Sequence, residues 1–193
     1  MRRLLITGFE PFGGEETNPS WDALALIPDR IADFNITKLE IPVVFGKSAD
    51  VVIKKAEEIK ADVVLCIGQA GGRDAVTPEM IGINLRYATI PDNDGNKPVD
   101  ERIIPDAPDA YFTTLPARKM AVEIEKSGIR SKVSYSAGAY VCNEVIFSLM
   151  HHFKGSDVKV GFIHVPYSCE QEKDPSMPLK SIAVAIISAI NAI

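Results

Sequence analysis

Histidine and cysteine are both scarce in this chain, three of each among 193 residues. Three cysteines cannot all pair, and their spacing fits neither a disulfide framework nor a zinc site. Two of the histidines, His151 and His152, are adjacent on one predicted helix, so no metal centre is expected, and no cofactor. Long apolar runs are missing as well. Leu4-Leu-Ile6 after Arg2-Arg3 is too short for a signal peptide before Thr7-Gly8 breaks it. The apolar C-terminal stretch, residues 182–193, falls well short of the roughly 20 residues of a membrane span. Both readings favour a cytoplasmic protein with no membrane partner. An excess of positive charge is lacking too: the net charge is −5 and there is no basic stripe, which argues against nucleic acid as a partner. Repeats, low-complexity tracts and linkers are absent, and a chain of this length buries one good core, so residues 1–193 read as a single domain.

Along that chain, strand-like and helix-like segments alternate. Residues 3–7 read as a strand leading into the loop Gly8-Phe-Glu-Pro-Phe-Gly-Gly14. Asn18-Pro-Ser-Trp21 caps a helix running to about residue 27. Residues 36–45 read as a strand, 47–60 as a helix and 62–67 as a buried strand. Residues 81–85 alternate like a strand, and the proline-rich stretch 91–116 is too long for a mere connector and is expected to fold over something. A helix over 116–127 stops at Gly128. Strands over 132–136 and 158–165 flank a further helix, and residues 182, 186 and 190 place an isoleucine stripe on a terminal one. Val184 and Ile187 widen that stripe and suggest a partner subunit. The pattern predicts a three-layer α/β/α sandwich around a largely parallel, mixed sheet.

Cys142 lies in Ser134-Tyr-Ser-Ala-Gly-Ala-Tyr-Val-Cys-Asn143, where a strand, a glycine turn and a helix start are expected to succeed one another. A helix N-terminus favours thiolate over thiol, and its free N–H groups can hold an oxyanion, so this position suits acyl transfer. His151 and His152 sit on the same helix, about 14 Å further along, and serve better as last-turn complements of the dipole. His164 ends the apolar run Val160-Gly-Phe-Ile-His-Val165 just before Pro166. Sites in open α/β sheets form at the carboxyl ends of strands, so His164 is the credible base. Cys66 and Cys169 read as structural or incidental.

These segments together resemble the pyrrolidone carboxyl peptidase (pyroglutamyl peptidase I) family, nearly end to end. The resemblance rests on Gly8–Gly14, Pro42-Val-Val-Phe-Gly46, Gly68 through Asn84, Ile90-Pro-Asp-Asn93, Tyr111-Phe-Thr-Thr-Leu-Pro116, Ser136 through Asn143, and Gly161-Phe-Ile-His-Val-Pro-Tyr167. It implies a metal-free cytoplasmic cysteine exopeptidase that removes N-terminal pyroglutamyl residues, commonly as a homotetramer. By the same match Cys142 is the nucleophile, His164 the base and Glu79 the third member. Without the family, Thr77-Pro-Glu-Met80 reads as a helix start, with Asp74, Asp92 and Asp94 as rival carboxylates.

A lactam is small, flat and uncharged, so its site needs apolar walls and hydrogen-bond partners rather than an ion pair. Phe9 and Phe12 supply walls, Asn18 and Gln69 are the candidate polar contacts, and Ile90, Tyr140 and Val141 complete the lining. No Gly-Lys-Ser/Thr follows the first glycine loop, so it is not a phosphate loop. Two positions depart from many relatives: Met80 follows the glutamate where a basic residue is common, and Thr89 stands where arginine is common. Oxyanion stabilisation here is therefore expected from backbone N–H groups near Cys142. Two other readings stay open, a nucleoside phosphorylase-like enzyme of the same fold class and a noncatalytic binder of blocked peptide N-termini.

Overall fold

In a computed structural model describing residues 1–193, the chain begins with β1 (Arg2–Phe9), α1 (Pro19–Asp22), β2 (Arg30–Ile31), β3 (Phe34–Ile41) and α2 (Lys47–Glu58). It continues through β4 (Val63–Gln69), β5 (Thr77–Pro78), β6 (Ile81–Ile83), β7 (Ala110–Phe112), α3 (Ala117–Lys126) and α4 (Val141–His152). β8 (Lys159–Val165), β9 (Tyr167–Ser168), β10 (Ser176–Met177) and α5 (Leu179–Ile190) complete it. The main sheet has the order β2–β3–β1–β4–β8–β5. Its four inner strands are parallel, while β2 and β5 run antiparallel at the two edges.

Helices cover both faces, and the period of two along each strand divides the core between them. Leu4, Ile6, Leu65, Ile67, Ile163 and Val165 meet α3 and α5 on one side. Leu5, Val64, Cys66, Val160 and Phe162 meet α2 and α4 on the other. The architecture is the α/β fold that the alternating pattern implied. On α5 the isoleucines at 182, 186 and 190 are buried, whereas Val184 is exposed.

Four local expectations change. The helix after Asn18 is one α turn followed by a 3-10 turn over Ala23–Leu26. Residues 132–136 form no strand, because their partner stretch contains Pro78, which has no N–H to give to a ladder; only the single bridges Val76–Ser131 and Glu79–Ser134 form. Thr77 and Pro78 are not a helix start but the edge strand β5, paired with Ile163 and His164 of β8. The stretch 91–116 contains β7, which pairs with β6. Its first part lies against the opening loop, with Asn93 Nδ2 donating to Glu10 Oε1 at 2.8 Å and to the Pro11 carbonyl at 2.9 Å.

Candidate active site

Strand order explains how the candidate residues meet. β8 lies between β4 and β5, and His164 near its carboxyl end is flanked by Gly68 on β4 and Thr77 on β5. His164 follows Phe162 by two residues and so points to the same face, toward α4; their rings are 4.8 Å apart. Gly68 points to that face as well, and it has to be glycine. A Cβ built there would lie 2.9 Å from Cys142 Sγ and 2.8 Å from the Phe162 ring. The sulfur therefore stands directly over the position beside His164. Glu79, just past β5, closes the row from the other side: His164 Nδ1 and Glu79 Oε1 are 2.6 Å apart, both side chains buried. With Nδ1 engaged by a carboxylate, Nε2 is the ring nitrogen left for chemistry.

Cys142 is the second residue of α4, whose N-cap Tyr140 makes no side-chain capping bond. The amides at that helix start accordingly keep free N–H groups beside the sulfur. The charge state differs from the expectation. Burial first, and the Glu79 carboxylate second, push the Cys142 thiol up to about 12. A helix terminus contributes about 0.3–1 kcal/mol, whereas desolvation can shift a buried group by several pKa units at about 1.4 kcal/mol each. Desolvation wins, and the resting sulfur is a thiol that needs a base. The base is suitable. Burial holds the His164 imidazole below its ordinary range, with Glu79 pulling it back only in part, so it rests neutral. Glu79 runs the opposite way: burial raises its carboxyl, but hydrogen bonds from His164, Ser134 and Arg73 outweigh that and hold it below the usual carboxylate value.

Next to this row lies a cavity of about 280 Å³. Phe9, Phe12, Val43 and Val141 give it apolar walls, Cys142 and His164 its reactive edge, and Asn18, Gln69 and Tyr140 further lining. Ile90 is not among the lining residues; it is exposed, beside Gly13 at the rim. Both amides line the cavity and keep N–H groups without a partner. Asn18 Oδ1 accepts from the Ser20 N–H at 3.0 Å and the Ser20 hydroxyl at 2.7 Å, and one N–H of its Nδ2 goes to the Glu10 carbonyl at 2.9 Å, leaving the other. Gln171 Oε1 accepts the Ser168 N–H at 3.0 Å, so its Nε2 donates to Gln69 Oε1 at 2.9 Å, and the Gln69 NH2 remains free. The remaining donors suit a neutral carbonyl.

The rival carboxylates have other tasks. Asp74 pairs with Arg130, Asp94 with Lys47, and Asp92 accepts from the Phe45, Asp94 and Asn96 N–H groups of its own loop and its neighbour. His151 bonds the Tyr111 hydroxyl at 2.9 Å and His152 the Glu57 carboxylate at 2.9 Å, both away from the cavity. One residue of the site had no signal in the sequence reading. Arg73 lines the cavity as its only charged side chain other than through the triad, and bonds Glu79 Oε1 at 2.7 Å.

Comparison with known proteins gives a consistent result. The family model for pyroglutamyl peptidase matches residues 2–193. Pyrrolidone-carboxylate peptidase of Staphylococcus saprophyticus is 46% identical over 197 residues, covering 99% of this chain and 92% of that protein. The protein of the same name from Clostridium perfringens is 45% identical over 197 residues, with coverage of 99% and 92%. Among solved structures, pyroglutamyl peptidase I of Bacillus amyloliquefaciens superposes with a TM-score of 0.94 at 42% identity, over 98% of this chain and 95% of that one. Pyrrolidone carboxyl peptidase of Thermococcus litoralis superposes with a TM-score of 0.94 at 38% identity, over 100% and 93%.

Proposed function

This chain belongs to the pyroglutamyl peptidase family, and we propose on that premise that Cys142, His164 and Glu79 carry out its reaction, the hydrolytic removal of an N-terminal pyroglutamyl residue from a peptide. The observation that carries the assignment is the thiol standing over Gly68, one strand from an imidazole that is itself bonded to a buried carboxylate.

His164 Nε2 takes the thiol proton as Cys142 Sγ attacks the carbonyl that joins pyroglutamate to the next residue. The carbonyl oxygen becomes an oxyanion, which the free N–H groups at the start of α4 hold. Glu79 accepts the Nδ1–H throughout, fixes the tautomer and steadies the imidazolium. The tetrahedral intermediate collapses, the C–N bond breaks, and the imidazolium gives its proton to the leaving amine. Water, deprotonated by the same imidazole, then cleaves the thioester and restores the thiol. Phe9 and Phe12 flank the lactam ring, and the Asn18 and Gln69 N–H groups meet its carbonyl. Incubation with a chromogenic pyroglutamyl amide tests the reading. Release of the amine is expected, and iodoacetamide is expected to stop it in step with labelling of Cys142 rather than of the exposed Cys169. Turnover that survives full Cys142 alkylation would sink the assignment.

The alternatives fit less well. A phosphorylase needs cationic or amide cradles for phosphate, and the one cation lining this cavity is already paired with Glu79. A simple binder has no use for a bonded carboxylate–imidazole pair under a thiol. The proposal extends to residues 1–193 acting as one catalytic domain, in the cytoplasm, as a homotetramer. The exposed Val184 on α5, next to half-buried Ile187, supports a subunit contact there, which light scattering of the wild type and Val184→Glu would test.

A further inference from the structure

We propose that Arg73 is a positioning residue: its guanidinium fixes the Glu79 carboxylate under His164 and ties it to the segment that delivers Cys142. The inference rests on the triad reading and adds to it a fourth residue. Arg73 Nη1 donates to Glu79 Oε1 at 2.7 Å and to Thr77 Oγ1 at 2.5 Å, and Nη2 donates to the Ser136 carbonyl at 3.0 Å. The Oε1 atom that Arg73 holds is the one that meets His164 Nδ1, while Oε2 is buried with no partner. The carboxylate thus has one fully occupied oxygen, and both of its ligands pull on the same atom. Rotation about the carboxyl group would break both bonds together.

The other end of the fork matters as much. Ser136 opens the stretch that passes through Gly138 to Tyr140 and the start of α4, so its carbonyl lies on the path to the nucleophile. Arg73 itself is carried on the loop after β4, which is bonded to β8 through the Ala70 N–H and the Val165 carbonyl. A Cβ on Gly71 would lie 2.1 Å from the Tyr167 hydroxyl, so the loop backbone packs directly against that ring and only glycine fits there. One side chain therefore spans the acid member, the edge strand and the nucleophile's approach.

Electrostatics support the geometry. A buried carboxylate beside a neutral imidazole and no cation would take up a proton, and its acid form cannot keep serving as a pure acceptor for Nδ1–H. The Arg73 guanidinium at 2.7 Å works with the His164 and Ser134 hydrogen bonds against this, and it also disfavours imidazolium. The titratable and charged groups facing the pair are Arg73 from the β4–β5 loop and Cys142 on α4, with Cys66 on β4 behind the thiol, and Asp74 is turned outward to Arg130. Removing Arg73 leaves nothing else to take over its charge.

The test compares Arg73→Met and Arg73→Lys with wild type, with Cys142→Ser and His164→Ala as controls, using a pyroglutamyl amide across pH. Arg73→Met is expected to lower kcat by roughly 10²-fold with KM within about threefold, as for residues that orient a catalytic group. Its acid limb of kcat/KM should move up by about one pH unit, because the imidazole and carboxyl both regain protons more easily once the cation is gone. Arg73→Lys should keep the limb near its wild-type position, having kept the charge, and lose less in kcat. Circular dichroism checks that both variants are folded. A loss of kcat with an unmoved acid limb, or equal shifts in both variants, would overturn the positioning role. Activity in Cys142→Ser or His164→Ala would instead overturn the triad, so the two failures are distinguishable.

Discussion

Two buried carboxylates in this molecule each have an arginine partner and behave in opposite ways. Glu79 meets Arg73 and His164, and its carboxyl is held below the usual range. Glu144, two residues beyond Cys142 on α4, meets Arg86 and accepts the Gly46 N–H at 3.0 Å, yet burial pushes its carboxyl up. Each keeps one oxygen buried without a partner. What differs is the imidazole. His164 donates its Nδ1–H to Glu79 and so favours the ionised carboxylate, whereas Glu144 has only Arg86 and one amide against similar burial. A single arginine does not secure a buried carboxylate, and a second proton-bearing partner does. Glu144 reads as a clip joining α4 to the start of α2 and to the β6–β7 connection, and Glu79 as part of a proton path.

The largest expected effects lie at the reacting groups of the Glu79 row. Cys142→Ser and His164→Ala should each lower kcat by roughly 10⁴-fold or more, since nucleophile and base act as one unit. Steady-state kinetics beside circular dichroism would check this, and near-normal turnover in His164→Ala would break the distinction between the two regions at its root.

The next effect concerns a positive charge brought in by the substrate. Because Arg73 already offsets Glu79, the cavity has no free anion for the charged ring nitrogen of an N-terminal proline. The unpartnered N–H groups of Asn18 and Gln69 in the cavity lining would also lose the lactam carbonyl. Sites that hydrogen-bond a substrate group reject analogues lacking it by roughly 10⁴–10⁵, so prolyl amides should be cleaved at least about 10³-fold less efficiently than pyroglutamyl amides. Comparable kcat/KM for both would mean the cavity does not select a lactam.

Direct exchange of the two carboxylates sharpens the comparison further. Glu79→Gln should lower kcat by roughly 10²–10⁴-fold, because the amide cannot stabilise the imidazolium and can leave the ring in the wrong tautomer. Glu144→Gln should leave kcat within about threefold, since the amide oxygen can still accept from Gly46 and Arg86. Glu144→Leu strands those donors at about 1–3 kcal/mol and should lower Tm by several degrees, on the scale of about 2–4 °C per kcal/mol for this size. A kinetic loss in Glu144→Gln as large as in Glu79→Gln would abolish the contrast.

How much of this was legible beforehand follows from what each feature depends on. The inner strands, both helix layers and the placement of Cys142 and His164 were readable because they rest on periodicity and on strand-to-helix position, which are local. Glu79 was readable only through family resemblance. Its neighbours looked like a helix start because a Thr-Pro-Glu run has cap chemistry, and nothing local reveals that Thr77 pairs with His164, 87 residues away. A helix start is visible in sequence, whereas the desolvation that pushes the Cys142 thiol up to about 12 depends on what the fold packs around it. Arg73 left no pattern: six residues before Glu79, across a turn and into an edge strand, it obeys no helical or strand spacing.

The smallest expected effect is on stability, and it separates the two carboxylates by sign. His164 has its folded pKa below the ordinary value, so the unfolded chain binds a proton first as pH falls through about 6.5. Stability present at neutral pH is therefore lost as acid enters that range. Glu79, also lowered, adds a further loss at lower pH, beginning near the ordinary carboxyl value of about 4.3 and continuing through its folded one. Glu144 is raised, so its folded form binds the proton first, and its contribution grows as pH falls through its folded pKa. Between pH 7 and pH 5.5 the Tm of wild type should fall more than that of His164→Ala, which has no imidazole to protonate on unfolding. Below pH 5.5, Glu144→Gln should fall more steeply than wild type, having given up the one carboxyl that gains from acid. Scanning calorimetry at fixed ionic strength would measure both slopes. Parallel Tm curves for wild type and His164→Ala would mean the imidazole is not held neutral in the folded protein, and with it the resting thiol–imidazole pair would have to be given up.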